Sequence, residues 1–317
     1  MASPFQTDAR RYARLIADCI SGEIPFVAES ETPSSVQAER GTILPLALRG
    51  PIAEAGAARV DRLVELALPP ASQLMASSAP TAEHLSGLAV IDRAGHHRPV
   101  YRALLVYCWL QAFRVAYETL PRGLFGRWEE SLRVWCDLLE AVLGDIPWPA
   151  GGTPAVRGAA AAESAWTALA LHVGGKVFVR DAWTDLAGDT FGKLARGQRD
   201  DGAFLTAGPS DNPETHWYHE LVLLHAAASY GVQAEDRPLA AAVKRNTEYH
   251  LRETQPDHAT AQPWGLFAFV WNEPTRPLAD GLLHAAQTLR PENRSDGITS
   301  MLLADALYCL QLFEGPP

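Results

Sequence analysis

Two imidazoles, an indole, a phenol and a carboxylate crowd into Thr215-His216-Trp217-Tyr218-His219-Glu220. On a helix His216, His219 and Glu220 fall at i, i+3 and i+4 and share one face of a single turn. Such groups do acid–base work: an imidazole takes a proton near neutrality, and a phenol or a carboxyl returns one. Tyr218 and one of the two His can therefore serve as acid and base in proton abstraction beside a uronate carboxylate. A carboxylate pair such as Asp201 and Glu220 can instead run glycoside hydrolysis, given a defined separation. His216, His219 and Glu220 also have the ligand types for a divalent metal. Their order, His-x-x-His-Glu, is not the zinc-protease order His-Glu-x-x-His, so no resident metal or cofactor is expected. The plain alternative is helix capping by satisfied polar groups.

Other polar groups form smaller clusters. His96, His97, Arg98 and Arg102 precede an apolar helix and can meet an anionic group. Trp148, Trp217, Trp264 and Trp271 lie near connections between helices, where an indole can stack on a sugar ring or pack a hairpin.

The elements that must position these residues repeat. Thr190, Leu194, Gln198 and Asp200 recur as Thr247, Leu251, Gln255 and Asp257, each 57 positions on. Leu223-Leu224-His225-Ala226-Ala227 recurs as Leu282-Leu283-His284-Ala285-Ala286, 59 positions on, and Leu171-His172 is a weaker third copy. A period in the fifties signals stacked structural units. What recurs is framework, so the three His of the Leu-His pairs are expected to bond backbone carbonyls near helix C-termini. The stretch from His216 to Glu220 has no counterpart in the later copy, Arg276-Pro-Leu-Ala-Asp-Gly281, and this makes it the candidate site.

Stop signals and apolar periodicity predict helices over 5–20, 100–119, 125–143, 159–173, 181–196, 214–230, 236–253, 277–289 and 298–313. Glycines at 174–175, 197 and 231 are read as stops. Helices 159–173 and 214–230 are apolar nearly all round, whereas 236–253 carries one apolar stripe. Buried and half-exposed helices thus alternate, as concentric helical hairpins do. The first 95 residues read as an irregular helical segment packed on a body formed by 96–317.

Within this frame Gln198-Arg-Asp-Asp-Gly-Ala-Phe204 resembles the Gln-x-x-Asp-Gly-x-Trp/Phe turn of α/α-toroid proteins. That group includes terpenoid cyclases, protein prenyltransferase subunits and polysaccharide lyases. The matching residues are Gln198, Asp201, Gly202 and Phe204, and the likeness covers roughly residues 100–313. It implies an all-α fold, a complete or incomplete toroid, in which Gln and Asp cap helix ends and the aromatic packs between hairpins. Toroid lyases use Tyr and His, with Asn or Arg neutralising the acid group; Asn212, Asn272, Arg98 and Arg276 are the residues available here. The Asp-x-Asp-Asp and Asp-Asp-x-x-Asp motifs of terpenoid cyclases and synthases are absent, and no zinc set of the prenyltransferase kind is assignable.

Composition narrows the classes. The chain has 317 residues, 47% of them hydrophobic, enough for a substantial core. A net charge of -10 disfavours a nucleic-acid partner, which needs a basic surface. No apolar run is long enough for a membrane span, and the charged N-terminus lacks a signal-peptide core. Cys19, Cys108, Cys136 and Cys309 are expected to be buried free thiols. Arg-for-Lys and Ala usage suggests a GC-rich bacterial source, and the location expected is cytoplasmic.

The leading expectation is a lyase or glycoside hydrolase acting on an oligosaccharide in a central funnel. His216, Tyr218, His219 and Glu220 would carry the chemistry. Trp217, Trp264, Trp271, Asn212, Asn272, Arg276, His97 and Arg98 would hold the ligand. The alternatives are an isoprenoid-binding or cyclase-like protein and a non-catalytic helical scaffold for a protein partner.

Overall fold

The computed structural model describes residues 8–19, helical positions between 100 and 114, residue 140, and residues 158–206, 212–254, 260, 262–288 and 297–314. Among these the structure is all-helical, with no strand. Residues 8–19 form α1, and the described positions between 100 and 114 belong to α2. Then come α3 (Gly158–Phe178), α4 (Asp181–Arg196), α5 (Pro213–Gln233) and α6 (Arg237–Glu253). The short α7 (Leu266–Trp271), a 3-10 turn (Glu273–Thr275), α8 (Arg276–Thr288) and α9 (Gly297–Glu314) follow.

The expected alternation of helix character is present. In α3 and α5 most residues are buried, and α9 is buried from Ile298 to Leu310. In α4, α6 and α8 one stripe is buried: Ala187, Thr190, Phe191 and Leu194 in α4, and Leu239, Ala242, Val243 and Asn246 in α6. A helix apolar all round has to be covered on every side, so α5 packs on α3, α6, α7 and α9 together. The striped helices α4 and α6 touch each other outside this core. On the N-terminal segment, α1 packs on α8: Tyr12 donates to Asp280 at 2.8 Å, and Asp8 pairs with Arg276.

Helix starts follow the sequence closely. Asn212 caps α5 by accepting from Glu214 N–H at 2.8 Å with Pro213 in the first turn, and Asp236 caps α6 by accepting from Leu239 N–H at 3.0 Å. Two stops differ from expectation. Gly174 and Gly175 lie inside α3, which continues to Phe178, and Gly231 lies inside α5. Gly175 is there for approach: a Cβ would stand 2.7 Å from Thr184 and 2.9 Å from the Arg180 carbonyl. A glycine that lets two helices touch reads like a stop when only one helix is considered. The short α7, Leu-Phe-Ala-Phe-Val-Trp, has no visible period at six residues and is not predicted.

The three Leu-His positions do not share a role. His225 sits mid-helix; its Nδ1 accepts from Gly265 N–H at 3.1 Å and its Nε2 meets Asp305 at 3.2 Å. His172 is buried against Tyr230, ring centroids 4.8 Å apart, and neither ring nitrogen has a partner. His284 is exposed. The expectation of one bond to a backbone carbonyl is replaced by three separate environments, because each copy faces different neighbours. Cys19, Cys108 and Cys309 are buried and in no disulfide, and Cys136 lies outside the described residues.

Candidate active site

The Gln198–Phe204 turn is held from three sides. Gln198 Nε2 donates to the carbonyls of Gly202 at 2.9 Å and Ala242 at 2.7 Å, while its Oε1 accepts from Arg245 at 2.9 Å. Asp201 accepts from Ala203 N–H at 3.0 Å, and Arg252 donates to the Asp201 carbonyl at 2.9 Å. Gly202 has φ +93°, and a Cβ on it would stand 2.6 Å from the Arg245 carbonyl oxygen. Only glycine fits both conditions. Phe204 is buried in the core.

Glu220 completes the clasp. Its carboxylate is fully buried and accepts from Leu205 N–H at 2.6 Å, Phe204 N–H at 3.1 Å and Asn246 Nδ2 at 3.1 Å. Burial pushes its pKa up to about 7 against the pull of those three donors. A carboxylate that occupied joins α5, α6 and the turn, and it does not line the cleft beside it.

That cleft, about 220 Å³, lies between the turn and the start of α5. His216, Trp217 and Pro213 line one side, Arg199, Asp201, Ala203 and Leu205 the turn side, and Tyr249 of α6 closes it. Arg199 grips Asp201 through Nε and Nη2, the latter at 2.8 Å, and that bond holds the Asp201 carboxyl below its ordinary range. Burial, reinforced by the charges of Glu220 and Asp201, pushes the Tyr249 phenol up to about 12, so it keeps its proton at neutral pH. Behind the cleft, burial and then His216 lower His250 to about 3.

The structure therefore divides the predicted residues. His216 and Trp217 open on the cleft; Tyr218 is buried, its ring against Trp264 at 6.2 Å and His219 at 5.5 Å. His219 is half-buried beside Gly158. Trp264 is fully buried among Trp166, Tyr218 and His225, with its Nε1 donating to Gln262 at 2.8 Å, so no face of it is open to a ligand. Asn212 is the α5 cap, and the buried Asn272 donates to Thr247 at 2.9 Å. Arg276 is tied to Asp8. Trp271 lines a second cleft at the opposite end of α5. Among the described residues no three His, Cys, Asp or Glu are grouped to hold a metal ion. His97, Arg98 and Trp148 lie outside the described residues.

Two cleft residues escape the sequence reading, Arg199 and Tyr249. Neither lies at the entrance to a helix apolar all round: Arg199 is in the turn, and Tyr249 comes from the far end of the striped α6. Its spacing from Arg245 and Asn246, which grip the turn, is the signal that would have found it.

A second buried carboxylate also goes unforeseen. Asp305 of α9 accepts from Tyr107 of α2 at 2.5 Å and from Ser229 of α5 at 2.5 Å, and it faces His225 Nε2. Because Gly265 N–H points at Nδ1, the proton of a neutral His225 is on Nε2, aimed at Asp305. Gln233 and Gln111 extend the network through the Tyr107 hydroxyl, at 2.7 and 3.1 Å.

Comparison of the chain with protein-family models, curated proteins and solved structures gave no match.

Proposed function

We propose that the chain is built as an α/α toroid and is a carbohydrate-active enzyme, with elimination from a uronate-containing saccharide as its reaction. The observation that carries this is the cleft itself: an imidazole, a protonated phenol, an indole and a guanidinium converge on one space. His216 acts as base and takes the proton alpha to the substrate carboxylate. The electron pair of that C–H bond becomes the new C=C bond. The adjacent C–O bond breaks, its electrons stay on oxygen, and Tyr249 supplies that oxygen with a proton. Trp217 offers a face for the ring. Arg199 has Nη1 left outside its pair with Asp201 for the acid group.

Hydrolysis is less well supported by the same residues. It needs two carboxyls across a bond. Asp201 is locked to Arg199 and Glu220 is spent on backbone N–H groups. The volume of about 220 Å³ lies under the ~300 Å³ at which ligand pockets usually begin, which suits one sugar unit with the rest of the chain outside. Incubation with a panel of uronate oligosaccharides tests the reading by the ultraviolet absorbance of the unsaturated product. His216→Ala should abolish it and Tyr249→Phe should reduce it by about 10²-fold or more. Absence of unsaturated product across the panel would remove the elimination reading.

The isoprenoid alternative has its own observation. The second cleft, about 340 Å³, is lined by Ala228, Val232, Phe267, Trp271, Leu312 and Phe313. Quenching of Trp271 by a short isoprenoid alcohol, lost in Trp271→Ala, would favour it over the sugar reading.

A further inference from the structure

Where α2, α3 and α5 meet, three nitrogen-bearing side chains gather, and among the described residues no carboxylate forms an ion pair with them. Arg114 of α2 lies with its guanidinium over the ring of Tyr308, 5.6 Å from the centroid. Lys176 of α3 donates from Nζ to the Gln233 carbonyl of α5 at 3.3 Å. His172, one helical turn before Lys176, is 5% exposed. Arg114 Nε and both ring nitrogens of His172 are buried with no hydrogen-bond partner. Orphaned buried donors cost about 1–3 kcal/mol each, so such a group signals a missing acceptor.

The charges agree with the geometry. Burial, then the positive charges of Lys176 and Arg114, push His172 down to about 4, so the ring is neutral at pH 7. Burial and Arg114 likewise lower Lys176, with only Glu235 pulling the other way. Among the described residues no carboxylate forms an ion pair with Arg114 or Lys176. Two cations and a neutral imidazole that repel or leave each other unsatisfied are a poor scaffold and a good receptor.

We propose that Arg114, Lys176 and His172 form a binding site for a small oxyanion, the phosphate or carboxylate end of a small molecule. Arg114 supplies a charged fork, Lys176 a point charge at the exposed side, and His172 a neutral N–H donor from within. A bound oxyanion would satisfy Arg114 Nε and one ring nitrogen and would screen the two cations from each other. The site lies on α2 and α3, neither of which lines the His216 cleft, so its fate is independent of the elimination reading.

The test uses the full chain at neutral pH and low ionic strength. Orthophosphate and acetate are titrated separately, followed by calorimetry and by the ring ¹⁵N shifts of His172. At least one anion should give saturable heat together with a shift of His172. Lys176→Gln and Arg114→Gln should each weaken it about tenfold or more. Binding of phosphate alone assigns a tetrahedral ligand, and binding of both assigns a carboxylate-tolerant site. In the absence of anion, Lys176→Gln should resist urea at least as well as the native chain, because a repulsion is removed. This arm stands even if Arg114→Gln fails to fold. No saturable shift of His172 with either anion, or unchanged binding by Lys176→Gln, would overturn the proposal.

Discussion

Glu220 and Asp305 are both fully buried carboxylates, and they are held in opposite ways. Glu220 accepts from two backbone N–H groups and one amide, partners that keep their protons at any ordinary pH. Asp305 accepts from the hydroxyls of Tyr107 and Ser229 and faces an imidazole, all of them side chains from other helices. The first fixes a turn of seven residues against α5 and α6. The second joins α2, α5 and α9, and through His225 it reaches the start of α7. A carboxylate bonded to backbone is a local clasp, whereas one bonded to side chains of separate helices is a global one. Neither opens on the cleft where His216 stands, so burial, and at Glu220 a raised pKa, usually signs of catalysis, here mark framework.

The sharpest way to break this contrast is Asp305→Ala. It removes the acceptor that Tyr107, Ser229 and His225 share, and the expected loss is about 3–5 kcal/mol, the scale of breaking a buried polar network. Hydrogen exchange should accelerate throughout α2, α5 and α9, since the loss is global. Acceleration confined to one helix would show that Asp305 is no hub.

Next in size is Glu220→Ala, expected to cost about 2–3 kcal/mol by leaving Phe204 and Leu205 N–H unsatisfied. Here exchange should rise in residues 198–206 while α9 stays protected. Equal loosening of α9 would erase the distinction between the two clasps. Gly202→Ala should act on the same turn, costing about 1–3 kcal/mol through its positive φ, and it should mimic Glu220→Ala in where exchange rises.

The smallest effects are in pH. Glu220 titrates higher folded, about 7, than its ordinary 4.5, so the folded chain holds a proton that the unfolded chain has released. Its contribution is full below 4.5 and is lost as pH rises toward 7. His172 and His250 run the other way: lowered by burial to about 4 and about 3 from 6.5, they favour folding above 6.5, and that gain is lost as pH falls through the folded values. Between 4.5 and 6.5 the two His outweigh the one Glu, so urea midpoints should rise with pH in that window. In Glu220→Gln the rise should steepen, and an unchanged slope would mean that Glu220 titrates normally.

Much of the framework was legible in the sequence, for stated reasons. Helices α4, α6 and α8 are found almost to the residue, because each has a regular stripe, α6 and α8 have a proline in the first turn, and α4 has a glycine just after its end. The Gln198–Phe204 turn is recognisable because its geometry demands one glycine and one amide at fixed positions. What escaped depends on contacts between distant residues. Asp305 is an acid in the middle of an apolar helix, and nothing local pairs it with Tyr107, 198 positions away. Gly175 reads as a stop in the sequence because its reason lies on α4. The non-repeating stretch is split by the structure: His216 and Trp217 reach the cleft, while Tyr218 and Glu220 turn into the core.

The central claim is that the cleft of His216, Trp217, Arg199 and Tyr249, and not the buried carboxylates, does the chemistry. The most direct measurement is single-turnover formation of unsaturated product from a uronate oligosaccharide by the native chain, His216→Ala and Tyr249→Phe, each first shown to be folded by its urea midpoint. The account predicts product with the native chain, none with His216→Ala, and slowed release of the leaving group with Tyr249→Phe. Native-like turnover by folded His216→Ala, or no product from the native chain, would contradict it.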